Sequence, residues 1–222
     1  MSPDPDYETA RGRLVEDLVR TGTIRSSAVR KAFLRVPREE FVTQATRGHA
    51  YWDAPLPIPH GQTISAPSMI AIMLEEAHLS NGERVLEVGT GSGYHAALLG
   101  CLVGPEQVVS VERLGSLAEW GRSNLERTGF GAVRVVVRDG SLGYPEGAPY
   151  DCILATAGAP RIPDAWGGQL APSGRIVAPV GGSRREQVLV VAIRRPDGSL
   201  DVRSSVPCAF VPLIGSDAWP EG

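Results

Sequence analysis

The 222-residue chain has few cysteines, and their arrangement excludes both a disulfide framework and a cysteine-based metal site. Cys101, Cys152 and Cys208 are odd in number and far apart, and no CxxC occurs. Such a set is typical of free thiols in a reducing compartment. The four histidines also lack metal-ligand spacing, with one another or with cysteine. We therefore expect no metal.

Excess positive charge and long apolar runs are also absent. Lys and Arg total 22 against 25 Asp and Glu, a formal net charge of −3, so no basic field predicts nucleic-acid binding. The longest uncharged apolar run, residues 93–104, is too short to cross a bilayer, and the acidic residues 1–9 do not form a secretory signal. With 42% hydrophobic and 21% charged residues, the composition is that of a globular domain. We expect a cytoplasmic protein without a membrane partner.

The first part of the chain predicts helices joined by loops. Apolar residues recur at helical spacing in residues 7–19 and 26–36, and a further helix is predicted over residues 68–78. Residues 53–60 contain three prolines, which exclude a regular helix there. We take residues 1–80 as an N-terminal helical segment, with a loop over the binding site, packed on a core formed by residues 81–222.

From residue 83 onward, strands alternate with helices, which indicates a doubly wound, mostly parallel α/β sheet. The last two predicted strands are joined only by residues 181–186, too few for a crossover helix, so the sheet should include an antiparallel strand near the C-terminus. The predicted strands are residues 84–88, 107–112, 133–137, 150–156, 175–180 and 187–194.

Residues 85–94 (VLEVGTGSGY) carry the strongest ligand-binding signal. Gly89, Gly91 and Gly93 lie where a strand turns into a helix, and without Cβ atoms they let a ligand approach the backbone. The spacing differs from the dinucleotide pattern GxGxxG. Glu87, just before the turn, would repel a pyrophosphate and attract a cationic ligand group.

Two further acidic groups follow strands. Glu112, nineteen residues after Gly93, ends the second strand of the sheet and can accept hydrogen bonds from ribose hydroxyls. Asp139 and Gly140 follow the third strand, where they can meet an adenine edge. Each feature alone is common in turns and strand ends, but together they predict a nucleoside ligand with a cationic group. S-adenosylmethionine fits best.

Segments along most of the chain resemble one family. Residues 61–67 (GQTISAP) are its most specific motif, and the glycine loop at residues 85–94 is shared by most class I methyltransferases. From about residue 28 to residue 215, the chain resembles protein-L-isoaspartate O-methyltransferase. This likeness implies a Rossmann-like methyltransferase sheet. Its other segments are residues 139–143, 148–151, 156–160, 169–170, 174–181 and 210–213.

The resemblance implies a reaction as well as a fold. A methyl group would pass from S-adenosylmethionine to the α-carboxyl of an L-isoaspartyl residue in damaged proteins or peptides, leaving S-adenosylhomocysteine. The ester would then cyclise to a succinimide, whose hydrolysis partly restores aspartate. Because a carboxylate is already ionised at neutral pH, no general base is needed, and orientation and exclusion of water dominate.

The resemblance also implies the roles of individual residues. Ser65 is expected to be the catalytic residue, orienting the acceptor by a hydrogen bond rather than attacking as a nucleophile. Ala66, Pro67 and the backbone around Val211 would contact the substrate. The residues implied for the cofactor are Gln62, Thr63, Ile64, Glu87, Gly89, Gly91, Glu112, Asp139 and Gly140.

Ser68 and Ile70 depart from the family, many members of which carry histidine at one or both positions. Contacts attributed to those histidines therefore do not carry over. Two other functions stay open: methylation of a normal aspartate in one dedicated peptide, and a non-catalytic binding module. The chain stops soon after residue 215, which disfavours the first, and the presence of Ser65, Glu87, Glu112 and Asp139 disfavours the second. We expect a monomer.

Overall fold

The computed structural model describes residues 6–221. Residues 1–5, which belong to the N-terminal stretch expected not to be a secretory signal, and residue 222 lie outside the described part of the chain. Within residues 6–221, no helix combines the length and the apolar character that crossing a membrane requires.

The N-terminal part contains the three predicted helices: α1 (Tyr7–Arg20), α2 (Ser27–Arg35) and α3 (Pro67–Ala77). Ser26 begins α2 as its N-cap, since its hydroxyl accepts a hydrogen bond from the Val29 N–H at 3.2 Å. Pro67 is the first residue of α3, where its missing N–H costs no hydrogen bond. Between α2 and α3, the strands β1 (Leu56–Pro57) and β2 (Thr63–Ile64) pair antiparallel.

A seven-stranded sheet forms the rest of the fold, in the order β5-β4-β3-β6-β7-β8-β9. Strands β3 to β7 run parallel, and β8 and β9 are antiparallel to their neighbours, which confirms the predicted architecture. The strands are β3 (Val85–Val88), β4 (Val108–Glu112), β5 (Arg134–Val137), β6 (Tyr150–Ala155), β7 (Leu170–Val180), β8 (Gln187–Arg194) and β9 (Leu200–Cys208).

Helices α4 (Tyr94–Val103) and α5 (Gly115–Arg127) connect β3 to β4 and β4 to β5, as predicted. The chain then crosses β3 and adds β6 on its other side, so the order reverses at β3. Sheets of this kind bind ligands outside the carboxyl ends of the strands at such a reversal.

The short strands β1 and β2, helix α6 (Asp164–Gln169) and strand β9 were not predicted, and β7 begins at Leu170 rather than at residue 175. The α6 sequence contains two glycines, and β9 is an exposed edge strand, so neither has a strong apolar period. One buried apolar cluster runs from α1 and α2 through α3 and α4 into the sheet. The N-terminal helices therefore pack directly on the core.

Candidate active site

The glycine turn between β3 and α4 requires glycine at two positions, each of which has a positive φ and a different close neighbour. Gly89 has a φ of +101°, and a Cβ there would overlap the Thr156 hydroxyl. Gly93 has a φ of +85°, and a Cβ there would lie 2.9 Å from the Gly121 carbonyl oxygen on α5. The turn is therefore packed between the end of β6 and helix α5, with its backbone open to the space above the sheet.

A cleft of about 650 Å³, including its open mouth, lies at the carboxyl ends of β3, β4 and β6. We call it the Glu112 cleft. It brings together most of the residues predicted for the cofactor, and adds apolar walls from the C-terminal tail. Its lining includes Ile58, Gln62, Thr63, Gly89, Gly91, Glu112, Leu117, Gly140, Thr156, Val211, Leu213 and Ile214.

Glu112 is fixed at the rim of this cleft by the backbone. Its Oε2 accepts a hydrogen bond from the Gly91 N–H at 3.0 Å, and its Oε1 accepts one from the Leu114 N–H at 3.1 Å. The side chain is half-buried. A carboxylate oxygen has more than one lone-pair site, so acceptor capacity is left for hydroxyl groups of a ligand.

Asp139 faces its own turn and the C-terminal tail, whereas its neighbour Gly140 lines the cleft. The Asp139 carboxylate accepts hydrogen bonds from the Ser141 N–H at 2.9 Å, the Ser141 hydroxyl at 2.7 Å and the Ser216 N–H at 2.7 Å. Burial acts to raise the pKa of Asp139, but these hydrogen bonds outweigh it and lower the pKa below its ordinary value. Asp139 thus anchors the tail whose residues wall the cleft.

We expect Asp139→Ala to lower the free energy of unfolding at pH 7 by about 0.5–2 kcal/mol, the usual cost of a lost cap. Because the folded-state pKa lies below the unfolded value, this stabilisation is present above an ordinary carboxyl pKa and disappears as pH falls through the folded value. Urea unfolding at pH 7 and in acid measures both effects.

Asp197 provides the matched control, since it accepts the same two hydrogen bonds from Ser199 but holds no tail. We expect Asp197→Ala to cost less than Asp139→Ala. Equal losses would show that the Ser216 contact adds no stability.

Two further pockets share lining residues with the Glu112 cleft. The His95 pocket, of about 390 Å³, is lined by Thr63, Ile64, Ser65, Ile70, Met73, the glycine turn, His95 and Thr156. The Phe210 pocket, of about 580 Å³, is lined by Pro55, Thr63, Ser65, Ala66, Met69, Thr156, Ala209, Phe210 and Val211.

Thr63 and Thr156 line all three spaces, so the spaces meet at these two side chains. Ser65 lines the His95 pocket and the Phe210 pocket but not the Glu112 cleft. Pro67 is buried at the start of α3 and lines none of the three. Thr156 was not predicted as a site residue, although it follows β6 as Glu112 ends β4. The same strand-end rule would have found it.

Glu87 lies under the glycine turn and lines none of the three spaces. Its side chain is fully buried, and its carboxylate contacts His95 Nδ1 at 2.9 Å and accepts a hydrogen bond from the Ser110 hydroxyl. An effect of Glu87 on a ligand in the His95 pocket would therefore act through His95, which does line that pocket.

Ser65 is held in place by a buried cation. Arg38 is fully buried, and its Nη2 donates a hydrogen bond to the Ser65 carbonyl oxygen at 2.8 Å while its Nε donates to the Ala50 carbonyl oxygen at 2.8 Å. Its guanidinium also lies 4.9 Å from the ring centroid of Tyr94, the first residue of α4. Arg38 thereby ties the Ser65 loop to the glycine turn.

Comparisons with known proteins agree with this architecture. A family model described as protein-L-isoaspartate(D-aspartate) O-methyltransferase matches residues 9–218. Protein-L-isoaspartate O-methyltransferase of Hyperthermus butylicus is 52% identical, over 97% of this chain and 92% of the relative. The corresponding protein of Methanopyrus kandleri is 50% identical, over 98% of this chain and 97% of the relative.

Solved structures are similar over nearly the whole chain. One described as protein-L-isoaspartate O-methyltransferase has a TM-score of 0.83 and 35% identity, over 94% of this chain and 67% of its own. A candidate protein-L-isoaspartate O-methyltransferase from Plasmodium falciparum, in complex with S-adenosyl-L-homocysteine, has a TM-score of 0.81 and 25% identity, over 95% of this chain and 99% of its own.

Proposed function

The chain belongs to the protein-L-isoaspartate(D-aspartate) O-methyltransferase family, and from this premise we propose how its residues divide the reaction among the three adjoining spaces. The enzyme transfers a methyl group from S-adenosylmethionine to the α-carboxyl of L-isoaspartyl residues in damaged proteins and peptides. The resulting ester leads to repair through a succinimide.

The Glu112 cleft fits the adenosyl part of the cofactor. Gly89 leaves the turn without a Cβ, in a backbone conformation that a side chain would strain, so the ligand meets bare backbone. The Glu112 carboxylate is fixed by two backbone N–H groups and has acceptor capacity for the ribose hydroxyls. Gly140, Leu213 and the rest of the apolar lining would cover the adenine.

The His95 pocket fits the amino-acid end of the cofactor, because it shares Thr63, Gly89, Gly91 and Thr156 with the Glu112 cleft. A ligand that fills both spaces would pass Thr63 and Thr156, which line both of them. When bound, S-adenosylmethionine supplies an electrophilic methyl group on a sulfonium. Gln62 and Ile64 would flank it from the β1–β2 segment.

The Phe210 pocket would hold the acceptor peptide, with Ala66 and Val211 in its wall. The position of Ser65 is the main support for this proposal, since Ser65 lines both the His95 pocket and the Phe210 pocket. Its hydroxyl would donate a hydrogen bond to the acceptor carboxylate and orient it. No group needs to remove a proton, because the carboxylate is already ionised at neutral pH. Fixed orientation and exclusion of water supply the rate enhancement.

Methyl transfer to two peptides that differ only in one residue tests this function. With S-adenosylmethionine labelled in its methyl group, we expect label in the isoaspartyl peptide and none in the matching peptide with normal aspartate. Label in both peptides would indicate a methyltransferase for ordinary aspartate, and label in neither would overturn the proposed reaction.

We expect Glu112→Ala to weaken binding of S-adenosylhomocysteine by about 10- to 100-fold, because hydrogen bonds to a charged group are lost. The free energy of unfolding should fall by about 0.5–2 kcal/mol, because the Gly91 and Leu114 N–H groups lose their acceptor. Calorimetric titration measures the affinity, and thermal unfolding of the same sample measures the stability. Glu119→Ala on the exposed face of α5 is the control, with no change in affinity expected.

We also propose that the chain acts as a monomer in the cytoplasm. Residues of one chain line all three spaces, so a second copy is not needed to complete the site. The three cysteines are free, and burial raises the pKa of Cys152 to about 12 and that of Cys208 to about 11, which suits unreactive thiols. The helical segment 1–80 and the core 81–222 would form a single unit, supported by the apolar cluster that the described residues of both parts share.

A further inference from the structure

A buried carboxylate–imidazole pair lies under the glycine turn, and no step of the proposed reaction uses it. Glu87 is fully buried and His95 is 6% exposed. Glu87 Oε1 contacts His95 Nδ1 at 2.9 Å, and Oε2 accepts a hydrogen bond from the Ser110 hydroxyl. Within residues 6–221, the other ring nitrogen, His95 Nε2, has no hydrogen-bond partner although it is buried. A buried polar atom left in this way is costly unless something pairs with it.

The position of His95 indicates what its partner is. The ring is part of the wall of the His95 pocket, which the glycine turn and Ser65 also line. This pocket continues from the Glu112 cleft through Thr63 and Thr156. With the adenosyl part in the Glu112 cleft, the amino-acid end of the cofactor is the part of the ligand that reaches His95. This inference therefore rests on the proposed function.

The hydrogen-bond chemistry of the pair selects one group of that ligand. An ionised carboxylate can only accept, so the Glu87 contact assigns the proton of a neutral ring to Nδ1 and leaves Nε2 as an acceptor. An acceptor with a buried carboxylate behind it is complementary to a cation that donates hydrogen bonds. The amino-acid end of the cofactor offers one such group, its ammonium.

We propose that His95 Nε2 binds the ammonium group of the amino-acid end of S-adenosylmethionine, with Glu87 fixing the tautomer and the orientation of the ring. The role is recognition rather than catalysis, since methyl transfer to a carboxylate involves no proton transfer. His95 would thereby select the complete amino acid over adenosyl compounds that lack the amine.

Two substitutions test the two nitrogens of the His95 ring separately. In His95→Asn the shorter amide can keep the contact with Glu87 but cannot reach the position of Nε2. In His95→Gln the longer amide can place an acceptor near Nε2. Thermal unfolding shows whether His95→Asn folds. If it does not, the ligand affinities of His95→Gln are compared with those of wild type instead, because the acceptor of the Gln side chain is displaced from the position of Nε2.

The ligands form a matched set for calorimetric titration without turnover. S-adenosylhomocysteine carries both groups, 5′-(3-carboxypropylthio)adenosine lacks the amine, and 5′-(3-aminopropylthio)adenosine lacks the carboxylate. In His95→Asn we expect about a tenfold or greater loss of affinity for the two amine-containing ligands and no change for the amine-free ligand. His95→Gln should lose less than His95→Asn.

Three results would overturn the assignment of the ammonium to His95. These are a loss for His95→Asn that is equal for all three ligands, no loss for any ligand, or a loss confined to the two ligands that carry the carboxylate. Failure of the wild-type protein to bind any of the three is a different result, and it would overturn the proposed function itself.

Discussion

Replacing Ser65 by alanine is expected to lower kcat by about 100-fold or more while leaving the affinity for S-adenosylhomocysteine within about twofold of wild type. Ser65 lines the His95 pocket and the Phe210 pocket but not the Glu112 cleft, so we place it between the amino-acid end of the cofactor and the acceptor. Among the described residues, that hydroxyl makes no hydrogen bond, and only the Ser65 carbonyl is engaged, by Arg38. Removing the hydroxyl should therefore cost little stability.

The size of this effect follows from the reaction. Without a proton to transfer, the enzyme accelerates the step mainly by placing a carboxylate oxygen in line with the methyl group. A misplacement of about 1 Å can cost on the order of 100-fold in rate. Single-turnover rates with saturating isoaspartyl peptide would measure the loss directly, and titration with S-adenosylhomocysteine would measure binding separately.

Ser68→Ala is the matched control for Ser65→Ala. Ser68 lies three residues further along, in the first turn of α3, and its side chain lines none of the three spaces. The same chemical change there should leave kcat and affinity unaltered, although many members of the family carry histidine at this position. If Ser65→Ala instead weakens cofactor binding more than it slows turnover, the residue belongs to the cofactor site and its assigned role is wrong.

The sheet and its binding edge could be predicted from the sequence because their signals are local. The parallel strands are short apolar runs, and the glycines at 89, 91 and 93 mark the turn whatever surrounds it. Helices α1 and α2 were equally visible, since Asp6 and Ser26 cap them and apolar residues recur at helical spacing. These elements depend little on distant contacts.

The unpredicted elements depend on their neighbours instead. Strand β9 exposes most of its side chains and contains Pro207, and it is a strand because β8 offers it a pairing edge. Helix α6 is a six-residue segment with two glycines, and it is held by long-range bonds. The Trp166 indole donates to the Gly140 carbonyl oxygen at 3.0 Å, and the Gln169 amide bonds the backbone of Leu142 and Tyr144.

In the site, too, some features follow from local sequence and others depend on distant contacts. Sequence spacing located Glu87 at the end of β3, but not the face of the sheet on which its side chain lies. Because side chains alternate along a strand, Glu87 shares a face with Val85 and not with Val88. That face packs on α4, which brings His95 to the carboxylate across eight positions of sequence. A pairing of this kind depends on the packed helix, so it needed the structure.

Arg38 is the second position where a large effect is expected, and sequence alone gives no hint of it. Its cation is fully buried, it pairs with no carboxylate among residues 6–221, and burial lowers its pKa below the ordinary value for arginine. The hydrogen bonds to the Ser65 and Ala50 carbonyl oxygens and the Tyr94 ring offset part of the cost of that burial. Arg38→Met keeps the volume but leaves both carbonyls without their donor.

Arg38→Met should lower the free energy of unfolding by about 2–4 kcal/mol, because each buried carbonyl left unpaired costs about 1–3 kcal/mol and the relief of a buried charge offsets part of this. It should also lower kcat by about tenfold, since the Ser65 loop loses the contact that ties it to α4. Affinity for S-adenosylhomocysteine should change much less than kcat. Urea unfolding and single-turnover rates, each corrected for the folded fraction, measure the two effects.

Arg175→Met separates positioning from stability. Arg175 also donates to backbone carbonyls, those of Ala77, His78 and Asp151, and it pairs with Glu83 at 2.7 Å, but it lines none of the three spaces. We expect it to lose stability as Arg38→Met does, with kcat of the folded protein unchanged. If the two variants slow turnover equally, the effect of Arg38 is general destabilisation. If only Arg38→Met slows it, the buried guanidinium positions the Ser65 hydroxyl.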